Sequence, residues 1–267
     1  MNPPFKNVRA PTVSSGENPP AKQKQRDARA LRSYDLTMHV TLSIDELLHA
    51  APWMDSLTDC QRGRVMAQAY ETQHPARAFV ARQGEAVHSW LGVADGLLKI
   101  SAVSRGGKQI MFTGVPEGSW VGEGSVMKDE ARRYDVIAVR SSRVIHIPME
   151  TFRWLLKESM GFCHFILRHL NERAGQCVAM AEVVRVSKPS ARLAGGLCLL
   201  FNPVIYPRTV SLLNISQEEM GELVGLSRPS ANAAVRQLEA LRLVQAEYGM
   251  LRVLDFRGLQ DHFYQGT

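Results

Sequence analysis

The rhythm of apolar and polar positions changes several times along this chain of 267 residues. Ser43-Ile44-Asp45-Glu46-Leu47-Leu48 opens a short helix, because Ser43 and Glu46 have the spacing of a capping box. A second short helix starts at Thr58 and runs through Cys60, Val65 and Met66. From residue 79 to 148 the texture turns to short β-type runs, at 90–93, 97–103, 109–113, 136–139 and 144–147. Asp95-Gly96 and Arg105-Gly106-Gly107-Lys108 read as hairpin turns between them. Many short strands with regular turn signals point to a β-sandwich, roll or barrel.

A helical period then holds from about 161 to 186. Leu167, Leu170, Ala174, Cys177, Ala181 and Val184 recur at alternating intervals of three and four, and a second stripe runs through Cys163, Ile166, Leu170, Cys177 and Met180. One stripe suits the chain's own β-domain and the other a second helix, the pattern of a coiled-coil-like dimer seam. Burial of the whole helix within one chain is the alternative. Ser187-Lys188-Pro189-Ser190 interrupts the period and starts another helix, 191–201, so a hinge is expected there.

The block Ser216-Gln217-Glu218-Glu219-Met220-Gly221-Glu222-Leu223-Val224-Gly225-Leu226-Ser227-Arg228 reads as two helices joined by a tight turn. Ser216 and Glu219 form a capping box. Met220, Leu223 and Val224 give one apolar side, and Gly225 tolerates the positive φ of a helix end. Leu226 plugs the space between the helices. Ser227 caps the second helix, Pro229 is allowed in its first turn, and Ala231, Val235 and Leu238 are its apolar side. Arg228, Ser230, Asn232 and Arg236 lie on the outer side. An ordinary pair of packed helices would look similar, but two strand-like runs, 241–246 and 250–254, follow around Glu247-Tyr248-Gly249. A helix-turn-helix followed by a hairpin is the layout of a winged helix, whose second helix enters the DNA major groove.

Composition changes this picture little. Apolar residues make up 45% and charged residues 22%, as in ordinary globular domains. No apolar run approaches the roughly 20 residues of a membrane helix, and no signal-peptide segment opens the chain, so a cytoplasmic protein without membrane contact is expected. The net charge of +6 suits a nucleic-acid partner, yet its distribution weakens that argument. Residues 1–34 hold seven Lys/Arg against two Asp/Glu, whereas residues 187–267 hold eight against seven. A few placed arginines must therefore make the DNA contacts. Residues 1–36, rich in Pro, Lys, Arg, Gln and Ser, are expected to be a disordered basic tail. An arm touching DNA phosphates, or a start assigned too early with structure beginning near Met38, are the other readings. Cys60, Cys163, Cys177 and Cys198 lack CxxC spacing, so neither a zinc site nor an iron–sulfur cluster is expected. Free, mostly buried thiols are the plain reading; a redox role for Cys163 or Cys177 is the alternative.

With the pieces in this order, residues 40–260 resemble the cyclic-AMP receptor/FNR (CRP/FNR) family of bacterial transcription regulators. The specific carriers are the block 216–228, the wing segment 249–255 and Gly118-Ser119-Trp120-Val121-Gly122-Glu123, which looks like the approach to the family's phosphate-binding cassette. The resemblance implies an α+β protein with an N-terminal double-stranded β-helix (jelly-roll, cyclic-nucleotide-binding-like) domain, a long dimerisation helix and a C-terminal winged helix-turn-helix domain. In that scheme 1–36 is the tail, 37–160 the β-roll sensor, 161–186 the dimer helix and 187–267 the DNA-binding domain.

For the effector, the resemblance places Gly122-Glu123 at the ribose hydroxyl of a cyclic nucleotide. It sets Arg132-Arg133-Tyr134-Asp135 where relatives grip the cyclic phosphate with Arg-Ser. A carboxylate accepting a hydroxyl and a guanidinium on an anion are sound chemistry. Here the small hydroxyl is absent and Tyr134 occupies its neighbourhood. The purine-contacting hydroxyls of the family fall at Cys177 and Val178, which cannot reproduce them. A structural ion pair between Glu123 and Arg132 or Arg133 is the competing reading. Haem would need an axial ligand, for which His88, His146 and His164 are the sensor-half candidates; each also reads as an ordinary partly exposed histidine. The open alternatives are a cyclic nucleotide, a small apolar or aromatic ligand between roll and dimer helix, and no ligand.

For the operator, the family's Glu and Arg of the TGTGA-type half-site fall at Pro229 and Ala233, which can make neither contact. Arg228 is the first choice for base reading, on guanine O6/N7, and Asn232 suits adenine N6/N7. Ser230 is a short adaptable group and Arg236 a backbone contact, while Ser216, Gln217 and Ser227 mark the helix starts that face DNA. The reading is a homodimeric, sequence-specific DNA-binding transcription regulator, and the resemblance to family activators implies RNA polymerase as a further partner through Arg208. An enzyme is not expected, since no nucleophile–base pair, P-loop or metal-ligand spacing is present. A cyclic-nucleotide-regulated protein acting without DNA and an effector-independent regulator are the alternatives.

Overall fold

The computed structural model describes residues 42–103, 109–209, 211–213, 215–247 and 249–266. The expected tail, the turn at 105–108 and Tyr248 of the wing lie outside the described residues.

Among the described residues two short helices come first: α1 (Ile44–His49) and, after a single 3-10 turn at Met54–Ser56, α2 (Asp59–Gln68). Both begin at complete capping boxes, Ser43 with Glu46 and Thr58 with Gln61. Eight strands follow: β1 (Tyr70–His74), β2 (Phe79–Ala81), β3 (Ser89–Asp95), β4 (Leu97–Val103), β5 (Gln109–Pro116), β6 (Trp120–Val121), β7 (Asp135–Ala138) and β8 (Ser142–Pro148). Between β6 and β7 lies a two-turn helix, α3 (Glu123–Lys128). The strands form two four-stranded antiparallel sheets, in the orders β1-β8-β3-β6 and β2-β7-β4-β5.

Burial explains why β3 reads as a continuous apolar run rather than an alternation. Leu91 and Val93 join Leu98, Ile100, Val115 and Val136 in a core built from both sheets. Trp90 and Ala94, on the opposite face, join a second core with Trp53, Trp120, Phe152 and Phe162. In that aromatic cluster the ring centroids of Trp90 and Trp120 are 4.4 Å apart and those of Trp53 and Phe162 are 5.6 Å apart. Both faces of β3 are therefore buried.

One turn expected from sequence is corrected. Asp95-Gly96 does not close a hairpin, because β3 pairs with β8 and β6 while β4 pairs with β5 and β7. Gly96, at φ +96°, carries the chain from one sheet to the other. A side chain there would strike Ser142, which explains the glycine without any hairpin.

Helices α4 (Met149–Glu158) and α5 (Met160–Val183) close the aromatic core. α5 is 24 residues long and stops at Val183, short of the expected 186. After it come α6 (Pro189–Leu199), β9 (Leu212–Leu213), α7 (Gln217–Val224), α8 (Arg228–Ala240), β10 (Val244–Glu247), β11 (Met250–Val253) and α9 (Phe256–Tyr264). Pro189 stands in the first turn of α6, as expected, although no side chain caps that helix. β10 and β11 form the hairpin, and β9 adds a third strand. Val183, Leu197, Val224, Val235, Leu251 and Phe263 belong to one continuous core of this C-terminal half.

Candidate DNA-reading surface and sensor cavity

The helix-turn-helix is built from local rules. Ser216 accepts from Glu219 N at 3.2 Å, while Glu219 Oε2 accepts from Ser216 N at 2.6 Å. Gly225 ends α7 at φ +67°, and Ser227 caps α8 by accepting from Ser230 N at 3.4 Å. The crossing of the two helices depends on Gly221. A Cβ there would lie 3.0 Å from Ala231 Cβ and 3.1 Å from the Leu226 carbonyl oxygen. That requirement for close approach was hidden in the sequence, where Gly221 is one more glycine.

Ala231, Ala234, Val235 and Leu238 bury the inner face of α8. Arg228, Pro229, Ala233 and Arg236 are exposed, and Gln217 and Ser227 are exposed beside them. Ser230 is half-buried, with its hydroxyl 2.9 Å from that of Ser227. Asn232 is half-buried too, and its Oδ1 is enclosed without a hydrogen-bond partner. Ser216, half-buried, has its hydroxyl accepting the cap bond. All seven residues read as DNA-facing thus retain exposed or partly exposed surface, with the hydroxyls of Ser216 and Ser227 engaged in capping.

The second candidate site lies between the β-domain and α5. A cavity of about 360 Å³ is lined by residues that include Phe112, Thr113, Glu123, Tyr134, Gln176 and Cys177. Phe112 is the extra residue of a bulge in the β4–β5 ladder, between the pairs Ile100–Thr113 and Ser101–Met111. Gly122, at φ +96°, precedes α3, and a side chain at this position would collide with Arg132. Glu123 is 5% exposed; its Oε2 has no hydrogen-bond partner, and its Oε1 lies 3.8 Å from His169 Nε2. His169 is fully buried, and that burial holds its pKa below the usual imidazole value against the opposing pull of Glu123.

The expected ion pair of Glu123 with Arg132 or Arg133 is not what forms. Arg132 is buried and donates from Nη2 to the Ser89 carbonyl at 2.6 Å. Arg133 points outward and pairs with Glu130 at 2.9 Å. A backbone acceptor and a nearer surface carboxylate are each closer than Glu123. Tyr134 is half-buried at the cavity wall, and desolvation, with Glu123 adding to it, pushes its phenol pKa up to about 12. Cys177 is exposed at the cavity's rim. Glu123, Tyr134 and Cys177 therefore line one space, Gly122 and Arg132 adjoin Glu123 without lining it, and Arg133 points away.

Sequence reasoning passed over two cavity-side groups on α5. His169 and Gln176 are buried, yet their polarity reads as a solvent face. Gln176 Nε2 donates to the Tyr206 hydroxyl at 2.7 Å, and Arg173 donates to the Trp120 carbonyl at 3.0 Å. The other side of α5 is open: Leu167 is 57% exposed and Val178 is 73% exposed. Ala174, Cys177 and Ala181 are exposed on the same helix, and Val184 is exposed just past its end. Of the three candidate haem ligands, His88 and His164 are exposed, whereas His146 is buried between Ser89 and Thr72, correcting its reading as partly exposed. Among the described residues no group of three or more His, Cys, Asp or Glu could hold a metal, and no helix is long and apolar enough to cross a membrane.

The chain matches two family models, a cyclic nucleotide-binding domain over residues 71–159 and a Crp-like helix-turn-helix domain over residues 191–262. It is 21% identical over 212 residues to the cAMP-activated global transcriptional regulator CRP of Haemophilus influenzae, covering 78% of this chain and 90% of that protein. Among solved structures it is similar to FixK2 from Bradyrhizobium japonicum, with a TM-score of 0.61 at 12% identity, covering 72% of this chain and 96% of the other. A putative cyclic nucleotide binding protein from Ruegeria pomeroyi aligns with a TM-score of 0.57 at 19% identity, covering 83% and 99%. At these identities the structural matches show the fold.

Proposed function

The chain belongs to the cyclic-AMP receptor/FNR family of bacterial transcription regulators, and from that membership we propose that it reads double-stranded DNA as a cytoplasmic homodimer under control of the roll cavity. The observation that carries this reading is the exposed outer face of α8, with Arg228 at its N-terminal end, on a fully capped helix-turn-helix. Arg228 is assigned to a guanine edge in the major groove, and Asn232 and Ser230 to neighbouring base edges. Arg236, Ser216, Gln217 and Ser227 are assigned to the phosphate backbone.

The seam of the dimer is assigned to the exposed stripe of α5 through Leu167, Ala174 and Val178, with Val184 just past the helix end. Apolar side chains at this spacing and exposure are the surface a second copy would cover. A jelly-roll closure of the two sheets and the 37–160, 161–186 and 187–267 division belong to the same reading. Effector binding would act by population shift, favouring one arrangement of the two α8 helices. For RNA polymerase, Arg208 would first have to leave Glu117, to which it is bound here.

The cavity favours an effector other than a cyclic nucleotide. Tyr134 stands at its wall, Cys177 offers no hydroxyl, and Arg132 keeps only Nη1 without a partner, its Nη2 being held by the Ser89 carbonyl. The second reading, cyclic-nucleotide control, rests on the unpartnered Glu123 oxygen, which would accept a ribose hydroxyl. The experiment is selection from a randomised duplex pool by the purified full-length protein, with and without cyclic AMP and cyclic GMP. Selective binding that neither nucleotide alters is the expected result. Nucleotide-dependent selection would establish the second reading, and no selection under any condition would end the regulator assignment.

A further inference from the structure

The phenol of Tyr206 occupies the meeting point of roll, long helix and DNA-binding half. It is fully buried, it belongs to the loop after α6, and its ring is 5.9 Å below the Arg173 guanidinium. Its hydroxyl has two partners outside its own domain. Gln176 Nε2 on α5 donates to it at 2.7 Å, and Thr113 Oγ1 on β5 lies 2.9 Å away. Because the phenol oxygen accepts the Gln176 N–H, its own O–H is free to donate to Thr113. Thr113 in turn donates to the Gly114 carbonyl at 3.2 Å. The result is a directed chain from α5 through the DNA-binding half into the sheet.

Thr113 and Gln176 also line the roll cavity. They are thus shared: the same two polar groups face the sensor space and hold the winged-helix half. Around this bond lie weaker contacts of the same interface, Lys99 with Glu222 at 3.0 Å and Arg140 with Glu219 at 3.6 Å. Both acids sit on α7, the first helix of the helix-turn-helix.

We propose that the Tyr206 hydroxyl is the latch by which the roll cavity positions the DNA-reading half, released when an occupant of the cavity takes the Gln176 amide or the Thr113 hydroxyl. The proposal rests on the regulator reading for its output but not for its mechanism. An occupant that competes must carry a hydrogen-bond acceptor for Gln176. Its body must be mainly apolar to sit against Ile100, Phe112, Val121 and Met180. A buried phenol deprived of its partners loses the reason for its place, because an unsatisfied buried hydroxyl is costly.

Tyr206→Phe removes the hydroxyl and keeps the ring; Thr113→Val removes the other end of the chain at nearly constant shape. Hydrogen–deuterium exchange on the full-length protein should show amides of residues 217–224 and 111–116 exchanging about fivefold faster or more in both variants, the size of one lost hydrogen bond. Exchange in β3 and β8, remote from the latch, should be unchanged, which a general loss of stability would not allow. The affinity of each variant for the duplex selected by the wild type should shift at least threefold. Unaltered exchange at the interface, or faster exchange with unaltered DNA affinity, would overturn the latch. If the wild type selects no duplex, the regulator reading fails, and the exchange result by itself then decides whether Tyr206 holds the domains together.

Discussion

Lys99 Nζ lies 3.0 Å from Glu222 Oε2, tying β4 of the roll to the first helix of the helix-turn-helix. The lysine is largely covered and the glutamate is nearly half exposed, so solvent screens the pair. Lys99→Ala and Glu222→Gln should each cost about 0.2–1 kcal/mol of stability, and a double-mutant cycle should recover a coupling of that size at low salt. The coupling should fade at high salt. A salt-independent coupling would mean that packing, not charge, joins these elements.

Arg228→Ala should cost about 1–3 kcal/mol of discrimination at one position of the selected half-site, as expected for loss of a bidentate base contact. Arg236→Ala should instead weaken binding evenly across sequences and reduce the salt slope by about one. Duplex binding at several salt concentrations separates the two. If both variants behaved alike, the division of base and phosphate roles along α8 would be wrong.

Gly221→Val should push α7 and α8 apart. The added side chain meets Ala231 and the Leu226 carbonyl at about van der Waals contact or closer, and overpacking of this kind costs about 1–3 kcal/mol. Urea unfolding of the full chain should show that loss, and DNA binding should fall with it. Full stability in the variant would show that the crossing is looser than its geometry indicates.

Acid should destabilise the roll through His146. Burial holds its imidazole down at about 4, with Ser89 Oγ 2.8 Å from Nδ1, Thr72 Oγ1 2.7 Å from Nε2 and Tyr70 stacked on the ring. The folded value lies below the unfolded value of 6.5, so the unfolded chain takes up the proton first. The stabilisation is therefore complete above pH 6.5 and is lost as pH falls from 6.5 towards 4. It amounts to about 3 kcal/mol in the limit. His146→Asn should flatten the pH dependence of urea stability in that window, and an unchanged slope would assign the effect to other groups.

The DNA-reading half was the more legible part of the sequence, for a physical reason. Caps, the Gly225 turn and the Pro189 helix start act between residues three or four apart, so their signals stand side by side in the chain. β1, β6, β9, α4 and α9 left weaker traces. Two-residue strands such as Trp120–Val121 and Leu212–Leu213 exist only because a partner strand runs beside them. The pairing of Tyr70 with His146 likewise joins the two ends of the roll.

The order of the elements, the capped helix-turn-helix with its hairpin, and the family those pieces belong to are legible in the chain itself. Tertiary structure alone decided that Asp95-Gly96 passes between sheets, that Arg132 turns to the Ser89 carbonyl, and that Gln176 and Thr113 meet Tyr206. Local backbone geometry is set by neighbours in the chain, whereas the partner of a buried polar group is set by whichever acceptor or donor the packed core brings within reach.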